Sequence, residues 1–332
     1  MTSERRAEGR LKVGCGQNCP PSKARLRALA KINLDLRVLN ARPDGYHEIR
    51  TIFQTISLAD VIDVEFTAAR RTTIQIHGDV DIPDNLIAKA AAVALDAMRV
   101  AARVEFRLRK RIPMGAGLGG GSSDAAAVLL ALPALAGRRL ALSHLMELAA
   151  GLGSDVPFFL VGGAAVALGR GTELYPLPDS AARRGLLIAP DVHVSTPAAY
   201  RALTPRLTTE SQQNKIVSFQ SQAWGEVLEG ACGSCVNDFE TVVFEQFPQL
   251  ARLKRRLVKL GANPAMMTGS GSALFGLFGT REQAIRAAKS FSDERVFPIS
   301  LVGRAGYHRL WWRALRPYIE DKLWPPLSRS GR

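Results

Sequence analysis

Between Pro113 and Asp124 the chain reads Pro-Met-Gly-Ala-Gly-Leu-Gly-Gly-Gly-Ser-Ser-Asp and runs directly into an Ala/Leu-rich helical stretch. Backbone N–H groups grip phosphate oxygens only where no side chain blocks the approach. Gly115, Gly117, Gly119, Gly120 and Gly121 give that openness, with Pro113, Met114, Ala116 and Leu118 between and before them. Ser122, Ser123 and Asp124 stand where helix caps belong, and the helix they open adds its positive end. The spacing predicts a polyphosphate site over residues 113–123; the plain alternative is a flexible surface loop.

Two familiar glycine patterns compete for this stretch. Gly115, Gly117 and Gly120 satisfy G-x-G-x-x-G, but a dinucleotide fold needs an acidic residue about 20 residues on, at the end of a strand. The segment PALAGRRLALSH near that distance offers neither. Gly115 to Gly120 also fits the first half of G-x-x-x-x-G-K-[ST], but Gly121 takes the lysine position. A triphosphate bound here therefore needs backbone dipoles, a metal ion and a lysine brought from elsewhere.

The elements that must hold this loop follow from periodicity and turn residues. ALAKINLDLRVLN alternates as a strand carrying Lys31 and Asn33; Pro43, Asp44 and Gly45 make a turn; TIFQTISLADVIDVEF, TTIQIHG and VEFRLRKRIP resume strand character. DNLIAKAAAVALDAMRVAA reads as a helix capped by Asp84 or Asn85, and LSHLMELAAGL as another before a Gly/Asp/Pro break. Beyond it, GLLIAP and HVST read as strand, 244–261 as one helix, PAMMTGSGSALFGLFG as strand, loop and strand, and REQAIRAAKSF as helix. That order predicts an α+β chain whose second half sets helices on one face of an antiparallel sheet.

The 332 residues are 47% hydrophobic, enough for two lobes, and carry a formal charge of +14. Residues 1–27 and 303–332 each hold seven Arg/Lys against two acids, so each arm is +5 and only +4 remains between them. A nearly balanced body speaks against a broad nucleic-acid face, and the arms read as solvated appendages; the rival class is a protein that binds nucleic acid or an anionic surface through them. RLWWRALRPYIEDKLWPPL should form a short amphipathic helix packed on its own domain or on a partner subunit. No apolar run spans a bilayer and the basic start has no signal-peptide core, so a soluble cytoplasmic protein is expected, monomer or homodimer. Cys15/Cys19 and Cys232/Cys235 have zinc-like spacing, but nothing in the sequence brings the pairs together, and reduced unliganded thiols are expected.

The segment 113–126, PMGAGLGGGSSDAA, closely resembles the phosphate-binding motif of the GHMP kinases. AKINL at 30–34 resembles that family's N-terminal motif and MTGSGSALF at 267–275 its C-terminal glycine motif. DGYHE at 44–48, LGSDVPFF at 152–159 and NDFE at 237–240 are similar to the branch that phosphorylates the 2-hydroxyl of 4-diphosphocytidyl-2-C-methyl-D-erythritol in the non-mevalonate route to isoprenoids. The likeness covers about residues 28–300. It implies a two-lobed GHMP-kinase-like fold with a basic arm at 1–27, an ATP-binding lobe at 28–170, a C-terminal lobe at 171–302 and a basic tail at 303–332. It further implies ATP as co-substrate, Mg2+ accompanying it with no clear protein ligand, and a small-molecule alcohol as acceptor. Other GHMP substrates, of the mevalonate, homoserine or sugar type, are the alternatives.

By the same resemblance Asp155 is the base for the hydroxyl proton, and Lys31 orients it or balances charge on the γ-phosphate. The plain alternatives are a turn or helix cap for Asp155 and an ordinary ion pair for Lys31. Cytosine would lie between Tyr46 and Tyr200 with His47 hydrogen-bonding its ring. Asn33 and Thr196 would reach the methylerythritol or its phosphates, Gly269, Ser270 and Gly271 would form a second backbone nest, and Asn85 and Leu86 would border adenine.

Overall fold

The computed structural model describes residues 21–179, 183–207, 235–320 and 322–328, with 213, 215, 216 and 219. A long antiparallel ribbon, β1 (Ser22–Ala41) and β2 (His47–Ala68), organises the backbone, closing through the Pro43-Asp44-Gly45 turn. Its register shifts between Leu29 and Lys31, between Asn33 and Asp35, and between Val38 and Asn40. Such bulges re-aim side chains and sharpen twist. Here two of them bracket Lys31 and Asn33.

One half of β2 pairs with β4 (Ala102–Arg109) and the other with β5 (Ala164–Gly169); β3 (Thr73–Gly78) and β6 (Glu173–Pro176) complete a six-stranded sheet ordered β3-β4-β2-β5-β6, with β1 on β2. Four helices follow from this half: α1 (Leu86–Met98), α2 (Gly120–Leu135), α3 (Leu142–Leu152) and α4 (Val156–Val161). Asn85 caps α1, its side chain accepting from Ile87 N at 3.0 Å. From Ser123 to Leu135 every residue of α2 is buried, as expected of a helix apolar on all sides. It forms the centre of the first core, with Phe53, Phe106, Phe158 and Phe159 packed in the same cluster.

The second sheet, β10 (Arg295–Ser300), β7 (Arg184–Ala189), β9 (Leu274–Phe278) and β8 (Ala265–Met267) in that order, is antiparallel. Leu186, Ile188, Leu274 and Phe278 share one core with α5 (Thr196–Leu203), α6 (Glu240–Gln246), α7 (Pro248–Lys259) and α8 (Arg281–Ala288). The alternate residues Leu187, Phe275 and Leu277 pack with Ile32, Ile52 and Ile56 of the ribbon. The two lobes of the α+β fold are thus joined through apolar residues, with helices on one face of the second sheet as expected.

Several local expectations are corrected. HVST forms no strand: Ser195 is the N-cap of α5 and Pro197 sits in its first turn, where a missing N–H costs nothing. The helix expected over 244–261 is two helices broken at Phe247, because Pro248 drives the residue before it out of helical geometry. α2 starts at Gly120, ahead of the serines. Cys235 is disulfide-bonded rather than a free thiol, while Cys15, Cys19 and Cys232 lie outside the described residues. The tail contributes α9 (Arg304–Leu315), whose Tyr307, Trp311 and Leu315 are buried in the first core, so this part of the basic tail is no solvated appendage. Among the described residues no helix is long and apolar enough to cross a membrane.

Candidate active site

The glycine loop lines a cavity of about 610 Å3 with residues 113–122, joined by Asn85, Leu86, Lys110, Asp124 and His193. The N-cap of α2 is Gly119, at φ 67°, and makes no side-chain capping bond. The first-turn N–H groups of a helix have no intrahelical partner. With a glycine cap they keep facing the cavity as anion-binding donors. Ser123 does not line it; its Oγ donates to Leu29 O at 2.7 Å and ties α2 to β1. Met114 is exposed at the rim.

A second cavity, of about 200 Å3, shares Gly117, Gly119 and Thr196 with the first and is lined also by Lys31, Asn33, Phe53, Asp155, Tyr200, Gly269 and Ser270. Lys31 Nζ lies 3.6 Å from Asp155 Oδ2 and donates to Asn33 Oδ1 at 2.8 Å. Lys31 is buried, whereas the Asp155 side chain remains a third exposed at the N-cap of α4, where it makes no capping bond. Burial pulls the Lys31 ammonium below the ordinary lysine range, partly opposed by the charge of Asp155. The arrangement is a partly exposed carboxylate beside a desolvated cation, at the seam between the cavity lined by the glycine loop and a smaller one.

The two glycine segments touch. A Cβ on Gly117, which sits at φ 78°, would stand 2.2 Å from Thr268 O, so only glycine lets the loop and the 268–271 turn pack backbone to backbone. Asn33 is the hub of this junction. Its Oδ1 accepts from Lys31 Nζ, from Gly269 N at 3.0 Å and from Thr268 Oγ1 at 3.2 Å, and its Nδ2 donates to Thr51 Oγ1 at 2.7 Å. It lines the smaller cavity, yet most of its hydrogen-bonding capacity goes to protein groups. Asn237 holds the turn from the other side, donating to Met267 O and Gly269 O. Thr196 Oγ1 and Ser270 Oγ share a hydrogen bond of 2.7 Å across the mouth. Gly271 is packed against Val194 and is absent from the lining.

The rings expected to clamp a base gather at one end. His47 stacks on Tyr200 at 4.6 Å with its Nε2 2.8 Å from Thr204 Oγ1, and Tyr200 meets Phe239 edge-on at 4.8 Å. Tyr46 stands half exposed with the Arg170 guanidinium 3.5 Å above its ring centre. Tyr46 and His47 lie outside both cavity linings, so one face of Tyr200 carries His47 rather than an open slot. Burial lowers the His47 pKa, keeping the imidazole neutral at pH 7. Burial, aided by the charge of Asp155, pushes the Tyr200 hydroxyl up to about 12.

Sequence reasoning offered Lys31 as the lysine from elsewhere and missed Lys110. Lys110 lines the larger cavity and pairs with Asp60 and, at 2.9 Å, with Asp124. Asp60 Oδ1 also accepts from Arg111 N and Ile112 N, at 2.6 and 2.9 Å, which fixes the strand that leads into the loop. Burial, with repulsion from Asp60, pushes Asp124 up to about 7 against the pull of Lys110. The one available signal was position: Lys110 directly follows β4, three residues before Pro113.

The model for the GHMP kinases N terminal domain matches residues 85–163 and that for the GHMP kinases C terminal matches 216–295, so fold and site define a kinase of the GHMP class. A 4-diphosphocytidyl-2-C-methyl-D-erythritol kinase of Solibacter usitatus is 58% identical over 310 residues, 92% of this chain and 97% of the relative. The enzyme of the same name from Geobacter metallireducens is 39% identical over 81% of this chain and 94% of its own. A crystal structure of 4-(cytidine 5'-diphospho)-2C-methyl-D-erythritol kinase, 38% identical, superposes with a TM-score of 0.71 over 84% of this chain and 99% of that one. Homoserine kinase from Cytophaga hutchinsonii, at 19% identity and a TM-score of 0.65, shares the fold. The chain belongs to the 4-diphosphocytidyl-2-C-methyl-D-erythritol kinase family.

Proposed function

We propose that the protein transfers the γ-phosphoryl group of ATP to the 2-hydroxyl of 4-diphosphocytidyl-2-C-methyl-D-erythritol, in the cytoplasm. The observation that carries this is the Lys31–Asp155 pair, 3.6 Å apart in the cavity that adjoins the glycine loop through Gly117 and Gly119. The loop and the α2 N-terminus would hold the phosphates in the larger cavity, with Asn85 and Leu86 beside the adenine. The acceptor alcohol would enter the smaller one. There Asp155 takes the hydroxyl proton as the alcohol oxygen bonds to the γ-phosphorus, the bond from that phosphorus to the β,γ-bridging oxygen breaks, and ADP leaves. Lys31 offsets charge on the transferred group and orients the carboxylate, so proton acceptance and charge stabilisation come from one ion pair.

Magnesium would arrive with the nucleotide and neutralise phosphate charge. Among the described residues no group of three His, Cys, Asp or Glu side chains could hold a metal alone. That suits an ion carried mainly by phosphates and water. Asp124 Oδ1, buried without a hydrogen-bond partner at the wall of the larger cavity, is the carboxylate oxygen this chain offers it.

Support for a cytidine-bearing acceptor comes from Tyr200, which lines the smaller cavity, from His47 stacked on it, and from the names of the relatives. For a base to stack on the Tyr200 face that His47 covers, the imidazole must move aside. The test supplies Mg-ATP with 4-diphosphocytidyl-2-C-methyl-D-erythritol, mevalonate, homoserine and galactose in parallel and measures ADP and phosphorylated product. Turnover of the first alone is expected; preference for an alcohol without cytidine overturns the substrate and leaves the kinase class standing.

A further inference from the structure

The six-residue helix α4 carries Asp155 at its N-cap, and a helix of that length has no independent stability. Its last four carbonyls also lack the partners that a longer helix would supply. Phe158 O is satisfied by Gly162 N at 2.9 Å. The other three are met by side chains from the far end of the chain. Tyr307 Oη donates to Phe159 O at 2.5 Å, Trp324 Nε1 donates to Leu160 O at 2.9 Å, and His308 Nε2 stands 3.2 Å from Val161 O.

The contacts are close-fitting as well as polar. A Cβ on Gly162, at φ 66°, would stand 2.2 Å from the Tyr307 ring, so the turn that ends α4 is shaped to that ring. His308 and Trp324 stack at 3.7 Å, 7° from parallel, which locks two of the donors together. Arg304 reaches Ala164 O at 2.7 Å and Leu177 O at 3.1 Å, fixing the start of β5 directly after α4. The segment is itself anchored. Asp179 accepts from Arg304 N and Ala305 N at the start of α9, and Val302 exchanges hydrogen bonds with Thr55 on β2. These donors lie beyond residue 295, outside both segments that match the GHMP models.

We infer that the C-terminal residues 303–320 and 322–328 form a clamp on α4, with Tyr307, His308 and Trp324 acting as positioning residues that fix the carbonyl end of the helix and so set the place of Asp155 relative to Lys31. The inference deepens the proposed function and rests on Asp155 as the base. None of the three lines either cavity, and their hydrogen bonds go to carbonyls of α4, so their effect on the site is expected to pass through that helix. The clamp should therefore act on the chemical step more than on nucleotide binding.

The test uses the full chain with Tyr307→Phe, Trp324→Phe and the double variant, each removing a donor while keeping a ring. Trp311→Phe is the control: Trp311 is buried in the same helix and packs edge-on against Tyr307 at 6.2 Å, but it makes no hydrogen bond to a carbonyl of α4. In the double variant kcat should fall about tenfold while KM for Mg-ATP stays within about twofold, and amide exchange across 158–163 should quicken. Trp311→Phe should lower the unfolding temperature without that split in kcat and KM. Unchanged exchange in α4, or an equal kcat loss in Trp311→Phe, overturns the clamp. Failure of wild-type protein to turn over the cytidine substrate would instead sink the proposed acceptor, and the exchange measurement would still decide whether the segment holds α4.

Discussion

Two lysines with buried side chains stand beside successive glycines of the glycine loop, Lys31 at Gly119 and Lys110 at Gly120, and they are held in opposite ways. Lys110 is clasped by two buried carboxylates, and although burial works against its charge, Asp124 and Asp60 outweigh it and raise the ammonium above the ordinary lysine value. Lys31 has one carboxylate, at 3.6 Å and partly exposed, and burial wins. A fully paired cation is a tether; a half-paired one keeps charge to spend on a ligand. The first faces the larger cavity, proposed for the nucleotide, and steadies the loop; the second faces the smaller cavity, proposed for the acceptor.

The sharpest way to break that contrast is Asp155→Asn. Turnover should fall by about 10²–10⁴-fold, the usual worth of a general base, with nucleotide binding by calorimetry retained. Near-normal ADP release would remove Asp155 from the reaction. On the other side, Lys110→Met leaves Asp60 and Asp124 buried and unpaired, which should cost about 3–5 kcal/mol in urea unfolding. A cost below about 1 kcal/mol would show that Lys110 is no tether.

The contrast also has a sign in pH. Because the pKa of Lys31 lies below the ordinary 10.5, kcat should decline on an alkaline limb that begins under that value, as Lys31 loses its proton. Lys110, shifted the other way, adds no such limb. Residual activity of Lys31→Arg should lack the limb, since guanidinium does not titrate there; its persistence would assign the titration to another group. The smallest effect is expected at Ser123→Ala, which loses the bond to Leu29 O and about 1 kcal/mol of stability, with little change in KM for ATP. A large rise in that KM would return Ser123 to the phosphate site.

What was legible in the sequence was local or motif-bound. Glycines that need positive φ, Asn85 as a cap and the Pro43-Asp44-Gly45 turn declare themselves through backbone geometry that few other residues adopt. Lys31 and Asp155 were singled out by resemblance, and the fold sets them side by side. HVST misled because the β-branched Val194 and Thr196 outweighed a Ser-Thr-Pro helix start, and the 244–261 helix because its apolar period ran on through Pro248.

By itself the sequence determined the glycine loop, the helix behind it, the β-ribbon and the charge balance between arms and body, because each rests on neighbours along the chain. Only the tertiary structure decided that Lys110 meets Asp60 and Asp124, that Asn33 binds the 268–271 turn, and that residues beyond 303 close the end of the helix carrying Asp155. Those pairings join residues from 14 to more than 230 positions apart, and they depend on bulge register and on which faces pack, neither of which is written in any single segment.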